Sequence, residues 1–268
     1  MGSRAFGLAT EESDTDRRGV YVAPTPWFWG FSRPPTHLDG PEEERFSWEL
    51  ERFCALALRA NPNILECLHS PSVEYADPRG EELLSLRDAF LSQEVLRTFS
   101  RYAAGQRRKL EADVRTHGAP RWKHAMHLLR LQRSCRDLLR TGRLGPVRRI
   151  FVEEPAASGA YSRRAFGSPS YWTYSGDSGV RRECVPGVAG PRRSAGQGLV
   201  VGVGEAREEL LAVRRGEWSW ERVTSAMADL DAACEEAALT TPLPAAPDRA
   251  RGEDSLYRVR RDSAAALG

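Results

Sequence analysis

Along the chain, apolar residues recur first with a period of two and then with a period near 3.6. Gly19-Val20-Tyr21-Val22-Ala23 alternates and is stopped by Pro24, which predicts a strand preceded by a Gly-rich turn and a polar stretch. The residues from Pro24 to Pro41, rich in proline and aromatics, read as a loop. Phe46, Leu50, Phe53, Cys54, Ala57 and Leu58 fall at helical spacing, and Asn61-Pro62 stops that helix before the apolar run Ile64 to Leu68. Beyond His69 the spacing of Leu83, Leu84, Phe90, Leu91, Val95 and Phe99, and then of Ala125 to Leu131, predicts packed amphipathic helices. Periodicity disappears between about Phe151 and Gly198, where Gly, Ser, Pro and Arg dominate as in a flexible insertion. It returns from roughly Glu205 to Leu239, and a short helix is expected near Ser255 to Arg261.

These breaks divide the chain into a mixed-sheet unit over 1–75, a helical unit over 76–150, the insertion over 151–198, and a continuation of the helical unit with a tail over 199–268. A length of 268 residues suits one large domain or two modest ones, and two are expected. Lysine plus arginine (39) and aspartate plus glutamate (37) nearly cancel, so the charge balance points to neither nucleic acid nor membrane, and any basic surface must be local. The five cysteines are widely spaced and form no CxxC pair, so free thiols in a reducing compartment are expected. No apolar run approaches the ~20 residues that span a bilayer. A cytoplasmic protein without membrane contact is the expectation.

Chemistry concentrates near the N-terminus. At Gly2-Ser3, a residue without a side chain lets backbone N–H groups approach phosphate oxygens, and a hydroxyl adds a donor. Asp14-Thr15-Asp16 leads into the predicted strand, where alternation would put both carboxylates on one face, suited to bridging Mg²⁺. Two metals so held lower the pKa of an attacking hydroxyl and neutralise charge on a leaving pyrophosphate. Each half alone is common in turns and solvated loops. Their spacing, leading into a β-like segment, makes the pair informative.

The pattern GS followed by D-x-D resembles the polymerase β-type nucleotidyltransferases. More narrowly, the chain resembles the bacterial RlaP-like group of predicted nucleotidyltransferases linked to RNA repair. That likeness rests on GSRAFGLATEESDTDRRGVYVAP, WELERFCALALRANPNILECL, LRDAFLSQEV, YAAGQRRKL, WKHAMHLLRL, LLAVRRGEW and LPAAPDRA. It covers most of the chain apart from the insertion. The resemblance implies an α+β fold in which a nucleotidyltransferase-type mixed sheet with helices precedes a helical domain. Its ligands would be Mg²⁺ and a nucleoside triphosphate, with RNA as the acceptor suggested by the group. The superfamily places a helix and a strand before the Gly-Ser turn, whereas Met1 directly precedes Gly2 here. The first strand of the sheet is thus missing, and either a longer natural protein or an inactive copy is expected. The family's third carboxylate corresponds to Glu44, with Glu66 as the rival.

The resulting expectation is a Mg²⁺-dependent nucleotidyltransferase. Asp14, Asp16 and Glu44 would be its catalytic metal ligands, and Gly2, Ser3, Arg4, Lys123 and His127 would bind substrate. The alternatives are an inactive nucleotide- or RNA-binding protein and an antitoxin-like protein whose partner is unknown. Arg17 and Arg18 flank the motif as further phosphate contacts or solvated charges. Tyr102, Gln106 and Lys109 share a helical face toward a cleft or a packing contact. Trp27, Phe28, Trp29 and Phe31 stack a base or fold onto the core. The insertion's arginine pairs 163–164, 181–182 and 192–193, mixed with aromatics, have the composition of an RNA-binding segment or a solvated loop.

Overall fold

Two strand beginnings, at Arg17 and Arg45, set the architecture of the N-terminal half. The structure is a computed structural model, and it describes residues 8, 17–31, 33–40, 45–70, 73–144 and 203–265. Strands β1 (Arg17–Tyr21), β2 (His37–Asp39) and β3 (Arg45–Glu49) form a mixed sheet in the order β1-β3-β2. β1 runs parallel to β3, and β2 runs antiparallel to it. Among the described residues β1 therefore occupies an edge. Among the described residues eight helices follow: α1 (Leu50–Ala57), α2 (Pro62–Leu68), α3 (Pro78–Ser85), α4 (Glu94–His117), α5 (Trp122–Thr141), α6 (Val203–Arg214), α7 (Trp220–Leu239) and α8 (Arg249–Ala265). Short 3₁₀ turns lie at Thr25–Phe28 and Arg87–Phe90. This is the α+β arrangement of a sheet followed by helices.

The helix expected from Phe46 onward begins four residues later. Arg45-Phe46-Ser47-Trp48-Glu49 alternates aromatic and polar residues, and pairing with strands on both sides wins over the i, i+4 match of Phe46 with Leu50. Glu49 ends the strand and caps α1, its Oε2 accepting from Glu51 N–H at 2.7 Å. Asn61-Pro62 both closes one helix and opens the next. Asn61 Oδ1 accepts from the N–H groups of Asn63 and Ile64, and Pro62 supplies its fixed φ at the first turn. The 24–41 segment, read as loop, contains the first 3₁₀ turn and β2. The single helical piece expected over 205–239 is divided at Gly216. That residue has φ +75°, and a Cβ there would lie 3.0 Å from Trp122 Nε1.

Residues Met1–Ile150 and Gly202–Gly268 form one compact unit and Phe151–Val201 another. The second unit, with the insertion's arginine pairs, lies outside the described residues. The first unit has two cores. One gathers α1, α2, the Arg87–Phe90 turn, the start of α4, the end of α5 and parts of α7 and α8, with Phe53, Ile64, Phe90, Val95 and Leu138 among its buried side chains. The other gathers Leu8, Leu110, Met126, Leu129, Val213, Val223 and Met227. α5 belongs to both, because its apolar stripe is too broad to be covered from one side.

The N-terminal sheet is fastened by the last helix. Arg260 on α8 donates through Nη2 to Glu49 Oε1 at 2.8 Å and through Nη1 to the Ala23 carbonyl at 3.1 Å. Its guanidinium lies 3.8 Å from the centre of the Phe28 ring. Glu49 Oε1 also accepts from Ala23 N–H at 3.3 Å, and Thr25 Oγ1 donates to the Arg260 carbonyl at 2.8 Å. The Glu49 side chain is 3% exposed, so this carboxylate depends on those donors.

Candidate functional site

Parallel pairing brings the N-terminal ends of β1 and β3 side by side. Arg17 stands opposite Arg45, Arg18 opposite Phe46, and Gly19 opposite Ser47. The last contact is close: a Cβ on residue 19 would fall 2.7 Å from Ser47 Oγ. Val20 and Trp48 pack on the first core, so alternation assigns Arg18 and Phe46 to that covered face and Arg17 and Arg45 to the other. Arg17 Nε donates to both carboxylate oxygens of Glu74, at 3.1 and 3.2 Å, on the exposed side. Arg18 Nη1 donates to the Arg17 carbonyl at 3.1 Å.

Gly2, Ser3, Arg4, Asp14, Asp16 and Glu44 lie outside the described residues. One residue of the motif segment is described. Leu8 is 2% exposed and packs into the second core, where burying such a side chain contributes about 2 kcal/mol. Its carbonyl accepts from Arg214 Nη1 at 2.8 Å, which ties the segment to the end of α6.

Close to that anchor, α5 presents a polar stripe that runs from exposed Lys123 to half-buried His127 and Arg130. Lys123, His127 and Arg130 recur at i, i+4 and i+7, so the two expected substrate residues do stand on one helical face. Burial holds His127 down to about 4, and the charges of Arg130, Lys123, His124 and Arg214 push in the same direction. The ring is therefore neutral at pH 7. Arg130 grips Glu66 of α2 in a fork, Nη1 to Oε1 at 2.7 Å and Nη2 to Oε2 at 3.2 Å. Their side chains are 11% and 4% exposed. Glu66, the rival third carboxylate, thus has both oxygens directed at a guanidinium. The sequence carried one hint of this pairing: a lone carboxylate in the apolar run Ile64 to Leu68 needs a cation when buried.

The other candidates are dispersed. Tyr102 is exposed on α4 with Gln106 and Lys109 along the same side. Among the loop aromatics, Phe28 lies beneath Arg260, whereas Trp29 and Phe31 are 73% and 111% exposed. Burial pushes the Cys67 thiol, beside Glu66, up to about 11 despite the charge of nearby Arg18, so it stays protonated. No described helix is long and apolar enough to cross a membrane.

Comparison with known proteins connects these features to a lineage. A protein of Bacillus subtilis (strain 168), called uncharacterized protein YcgL, is 33% identical over 90 residues, which are 32% of this chain and 35% of that protein. The match therefore spans about a third of that relative's length. No solved structure matches the chain. The family model described as RlaP, RNA repair pathway DNA polymerase beta family, matches residues 1–159 of the 268, and the chain belongs to that family.

Proposed function

We propose that the protein transfers a nucleoside monophosphate from an NTP to an acceptor hydroxyl, with RNA as the acceptor class. One observation carries the reading: β1 and β3 are parallel neighbours with Arg17 opposite Arg45. Asp16 and Glu44 each precede one of those paired residues, a single Cα–Cα step of ~3.8 Å away. With strands ~4.8 Å apart, connectivity alone keeps the two Cα atoms within about 12 Å, so their carboxylates can share a site. Asp14 follows on the same chain two residues upstream. An all-carboxylate donor set fits Mg²⁺, which prefers oxygen ligands and tolerates retained waters.

When bound, Mg²⁺ would activate the acceptor hydroxyl and neutralise charge on the leaving pyrophosphate. The chain's own part is placement. Asp14, Asp16 and Glu44 would hold the ions, and Gly2 and Ser3 would offer N–H and hydroxyl donors to the terminal phosphates. Arg4 adds a planar donor, and Lys123 and His127 face the substrate from α5. Neutral His127 offers a hydrogen bond and no charge. Dependence on NTP agrees with the cytoplasmic location expected from sequence.

The test is label transfer from NTP to RNA or DNA primers with Mg²⁺, alongside pyrophosphate release. Asp16→Ala should keep its far-UV spectrum and lose transfer by at least about a hundredfold, the scale expected for lost transition-state electrostatics. Undiminished transfer by that variant would overturn the assignment. NTP or RNA binding without turnover by wild-type protein would favour the inactive binding protein instead.

A further inference from the structure

The bidentate contact between Glu66 and Arg130 joins α2 to the middle of α5. Two of the five guanidinium N–H groups are directed at one carboxylate, which fixes the plane and reach of the fork. A buried pair of this kind is a poor choice for stability alone, since apolar residues of equal volume serve as well. The surroundings suggest another use. Arg130 shares its face of α5 with Lys123 and His127, and Arg214 approaches from α6, where it also holds the Leu8 carbonyl. Leu8 belongs to the segment bearing Gly2-Ser3 and Asp14-Thr15-Asp16.

Resting on the nucleotidyl-transfer reading above, we propose that Arg130 contacts the phosphate oxygens of the nucleotide's polyphosphate, with Lys123 and Arg214 adding charge. Glu66 is then a positioning residue that aims Arg130, and it does not hold metal. Its two oxygens are already committed in a geometry that matches a guanidinium. Three permanent cations, Arg130, Lys123 and Arg214, lie near enough to His127 to add to burial in keeping it unprotonated. A fork held in one orientation loses little entropy on meeting a phosphate, whereas a free arginine must first be ordered.

The test uses the full chain and inorganic tripolyphosphate, titrated without Mg²⁺ by calorimetry, beside a short single-stranded RNA. Arg130→Gln should weaken tripolyphosphate binding about tenfold or more, the scale of one charge-assisted contact. Glu66→Gln should weaken it several-fold although no positive charge is lost. The double variant should match Arg130→Gln, because Glu66 acts only through its partner. Should Arg130→Gln fail to fold, Arg130→Lys, which keeps the charge and loses the fork, and the uncharged double variant supply the reading.

Equal tripolyphosphate affinity in the folded variants, or none in the wild type, would overturn the inference. So would a loss confined to RNA, which would assign Arg130 to acceptor phosphates. A Glu66→Gln protein that binds tripolyphosphate normally but needs more Mg²⁺ for transfer would return Glu66 to the metal. The two proposals fail separately. Arg130-dependent tripolyphosphate binding without label transfer removes only the enzymatic reading, and normal transfer with unaltered variants removes only this one.

Discussion

His127 illustrates how one side chain reports its surroundings. Its folded-state pKa is depressed to about 4 by burial and neighbouring cations. Between that value and the ordinary ~6.5 the unfolded chain binds the proton and the folded chain does not, so stability rises with pH across this window. The contribution is complete above pH ~6.5 and is lost as pH falls toward 4, amounting to about 3 kcal/mol. His127→Gln should flatten that part of the pH dependence in urea midpoints; an unchanged slope would show that the ring is not held neutral. His69 is shifted the same way by burial and acts in the same direction. Gly216 is a second residue with a defined price: Gly216→Ala meets Trp122 at 3.0 Å in a left-handed conformation and should cost about 1–2 kcal/mol. A melting temperature unchanged in that variant would mean the turn relaxes freely.

Among the elements, α8 fastens the N-terminal sheet through one arginine. Arg260→Ala removes the guanidinium partner of a carboxylate that is 3% exposed, and a broken buried pair of this type costs about 3–5 kcal/mol. The loss should appear in thermal unfolding and in faster amide exchange in β1 and β3, and a loss confined to α8 would contradict the fastening described. Elements of this sort explain what was legible in the sequence. β1 and the long helices α4, α5 and α7 follow from periodicity, because their apolar residues face cores built largely from neighbouring helices. The sequence of β3 predicts the start of a helix because Phe46, Leu50 and Phe53 satisfy helical spacing as well as Phe46 and Trp48 satisfy alternation. Only the pairing partners decide, and the parallel one, β1, lies 28 residues upstream, beyond the reach of local spacing. The Gly-Ser and Asp-x-Asp motif was visible as a local pattern. The Glu66–Arg130 fork was not, because 64 residues separate its ends and no local spacing encodes it.

At the level of the whole molecule, α5 makes the two cores of the larger unit interdependent. Its Met126 and Leu129 lie in one and its Leu138 and Leu139 in the other. Leu129→Ala and Leu138→Ala should each cost about 2–5 kcal/mol, and intrinsic fluorescence and helical signal should lose structure in one shared transition. Two separable transitions would mean that the cores fold independently.

The tie between Arg260 and Glu49 has a bearing on biosynthesis. A growing chain exposes β1 and β3 long before it contains Arg260, and until then Glu49 has no guanidinium to meet its charge. The sheet-bearing half should therefore finish folding after translation has passed residue 260, and ribosome-bound chains arrested earlier should remain protease-sensitive in the sheet.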